Sequence, residues 1–479
     1  MSSIPGPLGA AAGGTTLDLN APLEAAPLEA RDARAAGSAL GQFGLVAIVL
    51  SGLLLCLAAA RTNTLLPETI KEVGFVYRSL AGAFGGLSFH LRSGEIIGAI
   101  TLMFIGYVVV VREAERLAPR SVLWAIGLFT GAVVLAPPLL STDLFSYQEY
   151  ARMFFGLGVN PYTHASQALA LDPVRGFIGA KWINTPSVYG PLFTLFSGLF
   201  QSTSTTADIA LSAYAYKVTA ALSLAGIVAL VWRAARLRGV NQTRGAALIG
   251  LNPLVVLYGV GGGHNDLLMM LLATAGLWAL LARRERSSGA FIVAAAAVKL
   301  TGGLFLPFAL AATPGLGAGR RRLRVLIGAA VAGVVSLVVG FSVFGSGLLN
   351  MLTTLSTVQG EGGWQSVPGF LFAALHWYSA SHIVSIVFGV IFLGICGRLL
   401  WRVWRAEMDW LDASGWAALF LLLSTSSVLP WYSTWLLVPV ALGANRRLWK
   451  AALWFSAWVL ASTIIAYLPH PPVILGFHT

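Results

Sequence analysis

The chain has 479 residues, of which 57% are hydrophobic and only 10% charged, with a mean hydropathy of +0.77. A soluble domain carries about a quarter charged residues, so this composition excludes an ordinary water-soluble globule and indicates an integral membrane protein. The formal charge of +12 would suit a nucleic-acid binder, but in a chain that crosses a bilayer repeatedly it reflects basic cytoplasmic loops, and no nucleic-acid partner is expected.

Residues 1–40 are rich in Ala, Gly and Pro and contain a doubled APLEA pentapeptide. They read as a disordered tail with little to bury. No basic stretch leads into an apolar core there, so no signal peptide is expected. Residues 41–479 form one polytopic, all-α membrane domain. Apolar runs of a length able to cross about 30 Å of hydrocarbon predict about 11 spans: 41–60, 94–111, 121–140, 207–232, 244–260, 266–282, 325–344, 383–401, 413–429, 431–444 and 451–468. Cys56 and Cys396 both fall in apolar runs, which predicts neither a disulfide nor thiol chemistry.

Basic residues set the orientation. With the N-terminus in the cytoplasm, 22 of the 31 Lys and Arg fall on the inner side, as the positive-inside rule requires. The long polar loop 141–206 then lies on the outer face. The basic clusters at 283–286 and 320–324 both belong inside, so the apolar run between them enters and returns. That run reads as two half-helices broken at Lys299, Thr301, Gly302 and Gly303, with the irregular tip lining a protein cavity. The segments 190–200 and 369–377 are too short to span and are expected to be interfacial helices, as is the aromatic stretch after Asp143.

Only nine of the 19 acidic residues lie at the outer side in this topology. Asp143 follows a span by three residues, at the depth of lipid headgroups, where a base acting on a lipid-borne substrate belongs. A helix N-cap is the structural alternative for the same residue. Glu149 and Arg152 are spaced to pair on a solvated face. In GGGHND, the residues His264, Asn265 and Asp266 can bind sugar hydroxyls or phosphate oxygens, or Asp266 can cap a helix. One His with one Asp is too few ligands for a metal, and none is expected. Lys299, an ammonium inside an apolar run, is a functional candidate unless it snorkels. Its expected role is to hold a substrate phosphate, with Arg175 and Lys181 as alternatives. Trp431 and Tyr432 suit either stacking on substrate or an aromatic belt.

STDLFSYQEYARMFFGLGVNPY, TPSVYGPLF, NPLVVLYGVGGGHNDLLM, the KLTGGLFLP break and PWYSTW, in this order, resemble the GT-C membrane glycosyltransferases. They are most similar to the actinobacterial polyprenol-phosphate-mannose-dependent α-1,6-mannosyltransferases. The resemblance runs from about residue 90 to 445. It implies a GT-C-like bundle in a bacterial inner membrane, with its site on the outer face. It also implies a polyprenyl-phosphate sugar as donor and a glycolipid or glycan as acceptor. The family's loop carboxylate maps onto Asp143 and its half-helix break onto Lys299. Arg152, Arg175, Lys181, Tyr189, His264, Asn265, Asp266, Trp431 and Tyr432 complete the candidate substrate-binding set. The chain departs from the family at Thr142, where a basic residue often stands, and in lacking a proline directly after Lys299.

A polyprenyl phosphate leaves readily, so the reaction needs a base for the acceptor hydroxyl and a cation for the departing phosphate, but no cofactor. One base without a nucleophilic carboxylate suits inversion. A secondary transporter or flippase of a lipid-linked or anionic substrate is the rival reading, because broken helices and intramembrane lysines occur there too.

Overall fold

The computed structural model describes residues 28–72, 77–201, 206–312, 317–360, 363–376, 380–468, 473–474 and 477–478. Residues 1–27 of the expected tail lie outside this set. Helix α1 (Leu28–Ala58) begins inside that tail, in an Ala-, Leu- and Arg-rich stretch of strong helix formers. Next come α2 (Glu68–Glu72), α3 (Tyr77–Leu80), α4 (Ser93–Glu113), α5 (Pro119–Leu135), α6 (Asp143–Ala151) and α7 (Pro191–Ser197). The middle of the chain forms α8 (Thr206–Arg238), α9 (Gln242–Gly250), α10 (Asn265–Leu281), α11 (Glu285–Val298), α12 (Phe305–Ala311) and α13 (Ala318–Phe344). The last third adds α14 (Asn350–Gly360), α15 (Val367–Ala374), α16 (Ser381–Trp404), α17 (Trp410–Ser424), α18 (Ser433–Leu442) and α19 (Arg446–Ile464). A two-residue antiparallel pair, Val473–Ile474 with Phe477–His478, is the extended structure among the described residues.

Helix boundaries follow local chemistry. Pro119 and Pro191 open α5 and α7 at positions where a missing N–H costs nothing. Asn241, Asp409 and Asn445 cap α9, α17 and α19 with side-chain oxygens. α1 packs on α4 and α5, α10 bridges α8 and α11, and α18 sits between α9 and α17. The buried core runs continuously through these helices.

Among the described residues, five helical stretches are long and apolar enough to cross a membrane: 38–61, 93–113, 208–238, 318–358 and 381–404. The pair 242–250 and 254–260, bent by 48°, makes a sixth if it is one span. The outer surfaces of α13 and α16 are apolar, with Val334, Val338, Ile386, Val390 and Leu393 exposed. Apolar surfaces this extensive on long apolar helices suit a lipid environment, and the chain is a helical membrane protein. The expected segments 121–140, 266–282 and 413–429 appear as the shorter apolar helices α5, α10 and α17. In segment 431–444 a 3-10 turn over Pro430–Tyr432 leads into the ten-residue α18.

The break at Lys299 appears as expected. α11 stops at Val298, Lys299 is extended, and a 3-10 turn over Leu300–Leu304 leads into α12. A Cβ on Gly302 would lie 2.7 Å from the carbonyl carbon of Ala295, so the chain folds back tightly over the last turn of α11. The helix after Asp143 departs from expectation. All nine residues of α6 are buried, so this helix is not interfacial but is enclosed by protein.

Candidate active site

Asp143 is placed by the peptide that precedes it. α5 ends at Leu135, and the buried Lys217 of α8 donates to the carbonyls of Ala136 and Pro137, the latter at 2.8 Å. The next two N–H groups are also fixed: Leu139 donates to Gly261 O at 3.0 Å and Leu140 to Leu65 O at 3.1 Å. Leu140 takes φ +63°, a left-handed conformation unfavourable for a non-glycine residue. Ser141 Oγ accepts the Asp143 N–H at 3.2 Å. Thr142, not Asp143, occupies the N-cap position, without a side-chain cap. Asp143 is therefore the first helical residue, and its carboxylate is not used as a cap.

The GGGHND turn faces it. Gly263, at φ +64°, packs so that a Cβ would sit 3.1 Å from Tyr216 Cβ. This turn brings His264 Nδ1 to 3.4 Å from Asp143 Oδ2. The imidazole lies flat on Trp431, with centroids 3.4 Å apart and planes 17° from parallel. His264 is buried, and neither ring nitrogen has a hydrogen-bond partner. The Asn265 amide oxygen accepts from Tyr147 OH at 3.5 Å, and its Nδ2 is without a partner.

Asp266 does not cap α10, whose N-cap is His264. Its two oxygens each lie 2.9 Å from Lys299 Nζ, and Oδ1 also accepts from Trp435 Nε1 at 2.8 Å. The ammonium lies 4.6 Å from the Tyr432 ring centroid and 5.3 Å from that of Trp435. These two rings are themselves stacked at 4.2 Å. Lys299 is thus held inside the protein by a carboxylate and two aromatic faces, and it does not snorkel.

The 141–190 loop closes on the same tip. Tyr189 is buried edge-on to Tyr147, and its carbonyl accepts from Tyr162 OH at 2.9 Å. Gly190 N–H donates to Val298 O at 3.0 Å, one residue before Lys299. A Cβ on Gly190 would fall 2.1 Å from Ala297 O, so only glycine fits. Asp143 opens the loop and Gly190 ties its end to the half-helix break.

The remaining basic candidates are dispersed. Arg152 and Glu149 are both buried rather than paired on a solvated face. Arg152 Nη1 reaches both oxygens of Asp172 at 2.9 and 3.0 Å, and Asp172 in turn accepts from Val174 N–H. Glu149 has neither carboxylate oxygen hydrogen-bonded. Burial pushes its pKa up to about 9, with Arg175 pulling weakly the other way, so it is a neutral acid near pH 7. Arg175 is half-buried with an unpartnered Nε. Lys181 is exposed, its Nζ 5.8 Å from the Trp182 ring centroid.

A cleft of about 590 Å³ opens beside Asp143, lined by Leu140, Ser141, Thr142, Tyr258, Gln365 and Trp431 among others. Polar groups at its wall and a flat aromatic face suit a carbohydrate. Lys217, Tyr147, Trp435 and Gly190 were not singled out from the sequence. Lys217 carried the same signal as Lys299, an ammonium within an apolar run.

Residues 38–315, more than half of the chain, match the family model described as the alpha-(1->6)-mannopyranosyltransferase N-terminal domain. The chain belongs to the alpha-(1->6)-mannopyranosyltransferase family. Residues 352–470 of this family member match a second model, the MptB C-terminal domain. Alpha-(1->6)-mannopyranosyltransferase A of Mycobacterium tuberculosis is 30% identical, over 78% of this chain and 74% of its own. Alpha-(1->6)-mannopyranosyltransferase B of Corynebacterium glutamicum is 27% identical, over 81% of this chain and 71% of its own. As a member of this family, the protein is a glycosyltransferase. Asp143, His264, Asp266 and Lys299 fall in the first matched region, and Trp431, Tyr432 and Trp435 in the second.

Proposed function

We propose that the enzyme transfers a mannosyl residue from a polyprenyl-phosphate donor to a glycolipid or glycan acceptor, with inversion and an α-1,6 link, at the outer face of the bacterial inner membrane. The single observation that carries this reading is the unequal use of two acids. Asp143 stands beside the cleft with no helix cap, lysine or arginine engaging it among the described residues, only His264 Nδ1 at 3.4 Å, whereas Asp266 is locked by Lys299 and Trp435.

In this mechanism Asp143 takes the proton of the acceptor hydroxyl as that oxygen attacks the anomeric carbon. The bond from that carbon to the phosphate oxygen breaks, and its electrons leave with the polyprenyl phosphate. Asp266 is engaged by Lys299 and Trp435, and Glu68, the other acid lining the cleft, is exposed to solvent. With Asp143 acting as base a single displacement follows, and a β-linked donor yields an α-linked product. His264 packs against the base and holds its orientation from the Trp431 stack. The remaining N–H of Lys299 faces the departing phosphate, with Arg175 and Lys181 as further cations on the loop. The relatives' names supply the sugar and the linkage. The basic bias of the opposite loops supports the outer-face placement.

The test is reconstitution in liposomes with radiolabelled polyprenyl-phosphate mannose and an acceptor glycolipid. Label in the acceptor supports the reading. Label carried across the bilayer without transfer would support a carrier instead.

A further inference from the structure

At the other end of the bundle a second cavity, of about 600 Å³, lies between the end of α4, the α8–α9 turn and the α18–α19 turn. α5 spans the distance from this end to Asp143, about 26 Å at 1.5 Å per residue, so the cavity is separate from the catalytic site. Its charged lining is Arg112, Arg244, Arg446 and Lys450 against a single acid, Glu115. Glu115 is engaged by Arg244 at 2.7 Å. Arg112, Arg446 and Lys450 have no carboxylate partner among the described residues. Asp412 sits behind the α18–α19 turn, accepting the N–H groups of Ala444 and Asn445, and does not line the cavity.

Two further observations make the lining deficient in acceptors. Arg244 Nε and Trp449 Nε1 are buried donors without partners, and both side chains line the cavity. Asn241 and Asn445, the caps of α9 and α19, also line it. Two helix N-termini therefore add their positive ends to the same space. A general excess of arginine on one side of a membrane explains the number of these residues. It does not explain their convergence from three helices, α4, α9 and α19, on a concavity that holds orphan donors.

We propose that this cavity binds a phosphate group, supplied by an anionic lipid headgroup or by a free phosphate anion. The guanidinium and ammonium groups supply charge-assisted hydrogen bonds. The orphan donors and the two helix ends supply the rest.

Full-length protein in phosphatidylcholine nanodiscs tests this through the shift in Tm on titrating inorganic phosphate. A parallel arm replaces part of the lipid with phosphatidylglycerol. Arg446 and Lys450 are exposed at the rim, so the Arg446→Gln/Lys450→Gln double variant should fold. It should weaken the response roughly tenfold or more. Arg116→Gln, an exposed change outside the cavity, should leave the response intact. A response to phosphatidylglycerol alone assigns the site to a headgroup, and a response to phosphate alone assigns it to a free anion. No response in the wild type to either, or an undiminished response in the double variant, overturns the proposal.

Discussion

Removing Lys299 should reveal how much of the site depends on one buried ion pair. Both Asp266 oxygens contact Nζ at 2.9 Å, and the Asp266 side chain is 1% exposed. Lys299→Met keeps an apolar stem between Tyr432 and Trp435 but leaves a buried carboxylate uncompensated. Breaking such a pair costs about 3–5 kcal/mol. Trp435 Nε1 still donates to Asp266 at 2.8 Å, which puts the cost near the lower end, or a fall of several degrees in Tm. Asp266→Asn/Lys299→Met removes both charges while keeping an oxygen for Trp435, and it should recover most of that stability. The two measurements separate structure from chemistry. If Lys299 also contacts the donor phosphate, the recovered double variant should still transfer slowly and show a raised donor KM. A single variant as stable as wild type would refute the structural argument. A stable double variant with wild-type kinetics would refute the phosphate contact.

Gly190→Ala places a methyl where only 2.1 Å separates it from Ala297 O. The loop end must leave Val298, and transfer should fall on the order of a hundredfold for a displacement near 1 Å, measured beside hydrogen exchange at the Gly190 amide. A folded variant with wild-type turnover would show that the tie is dispensable. Glu149, raised from 4.5 to about 9, keeps in the folded state a proton that the unfolded chain releases. Its contribution to stability is therefore full below about 4.5 and is lost as pH rises towards about 9. Glu149→Gln should flatten that part of the Tm–pH profile, and parallel profiles for wild type and variant would contradict it. His264→Phe keeps a ring on Trp431 but removes the nitrogen beside Asp143. kcat should drop roughly ten- to a hundredfold with little change in KM, and an unaltered kcat would exclude a positioning role.

What the sequence made legible was whatever membrane physics makes rare. Asp143 stood out because the topology expected from the basic residues leaves few acids at headgroup depth, and Lys299 because an ammonium in an apolar run must have a partner. The half-helix break was legible from glycines and two flanking basic clusters. The partners were not. Asp266, at the start of α10, meets Lys299, 33 residues later, and Trp435, 169 residues later, and such contacts leave no local periodicity. α6 was misread because an aromatic helix in the interface and one enclosed by protein have the same composition. That error also misplaced Glu149 and Arg152 on a solvated face. Helix length alone does not reproduce the expected 11 spans. α5, α10 and α17 are 15 to 17 residues long, short for a full crossing, and α5 and α17 stop at Leu135 and Ser424, before the apolar runs 121–140 and 413–429 end.

The central claim is that one carboxylate is the base. Asp143→Asn changes one oxygen for nitrogen in a side chain that caps no helix, so insertion, Tm and binding of polyprenyl-phosphate mannose should match wild type. In the reconstituted transfer assay its turnover should fall below a thousandth of wild type, a loss of about 4 kcal/mol in transition-state stabilisation. Turnover within tenfold of wild type, with donor binding intact, would contradict the account.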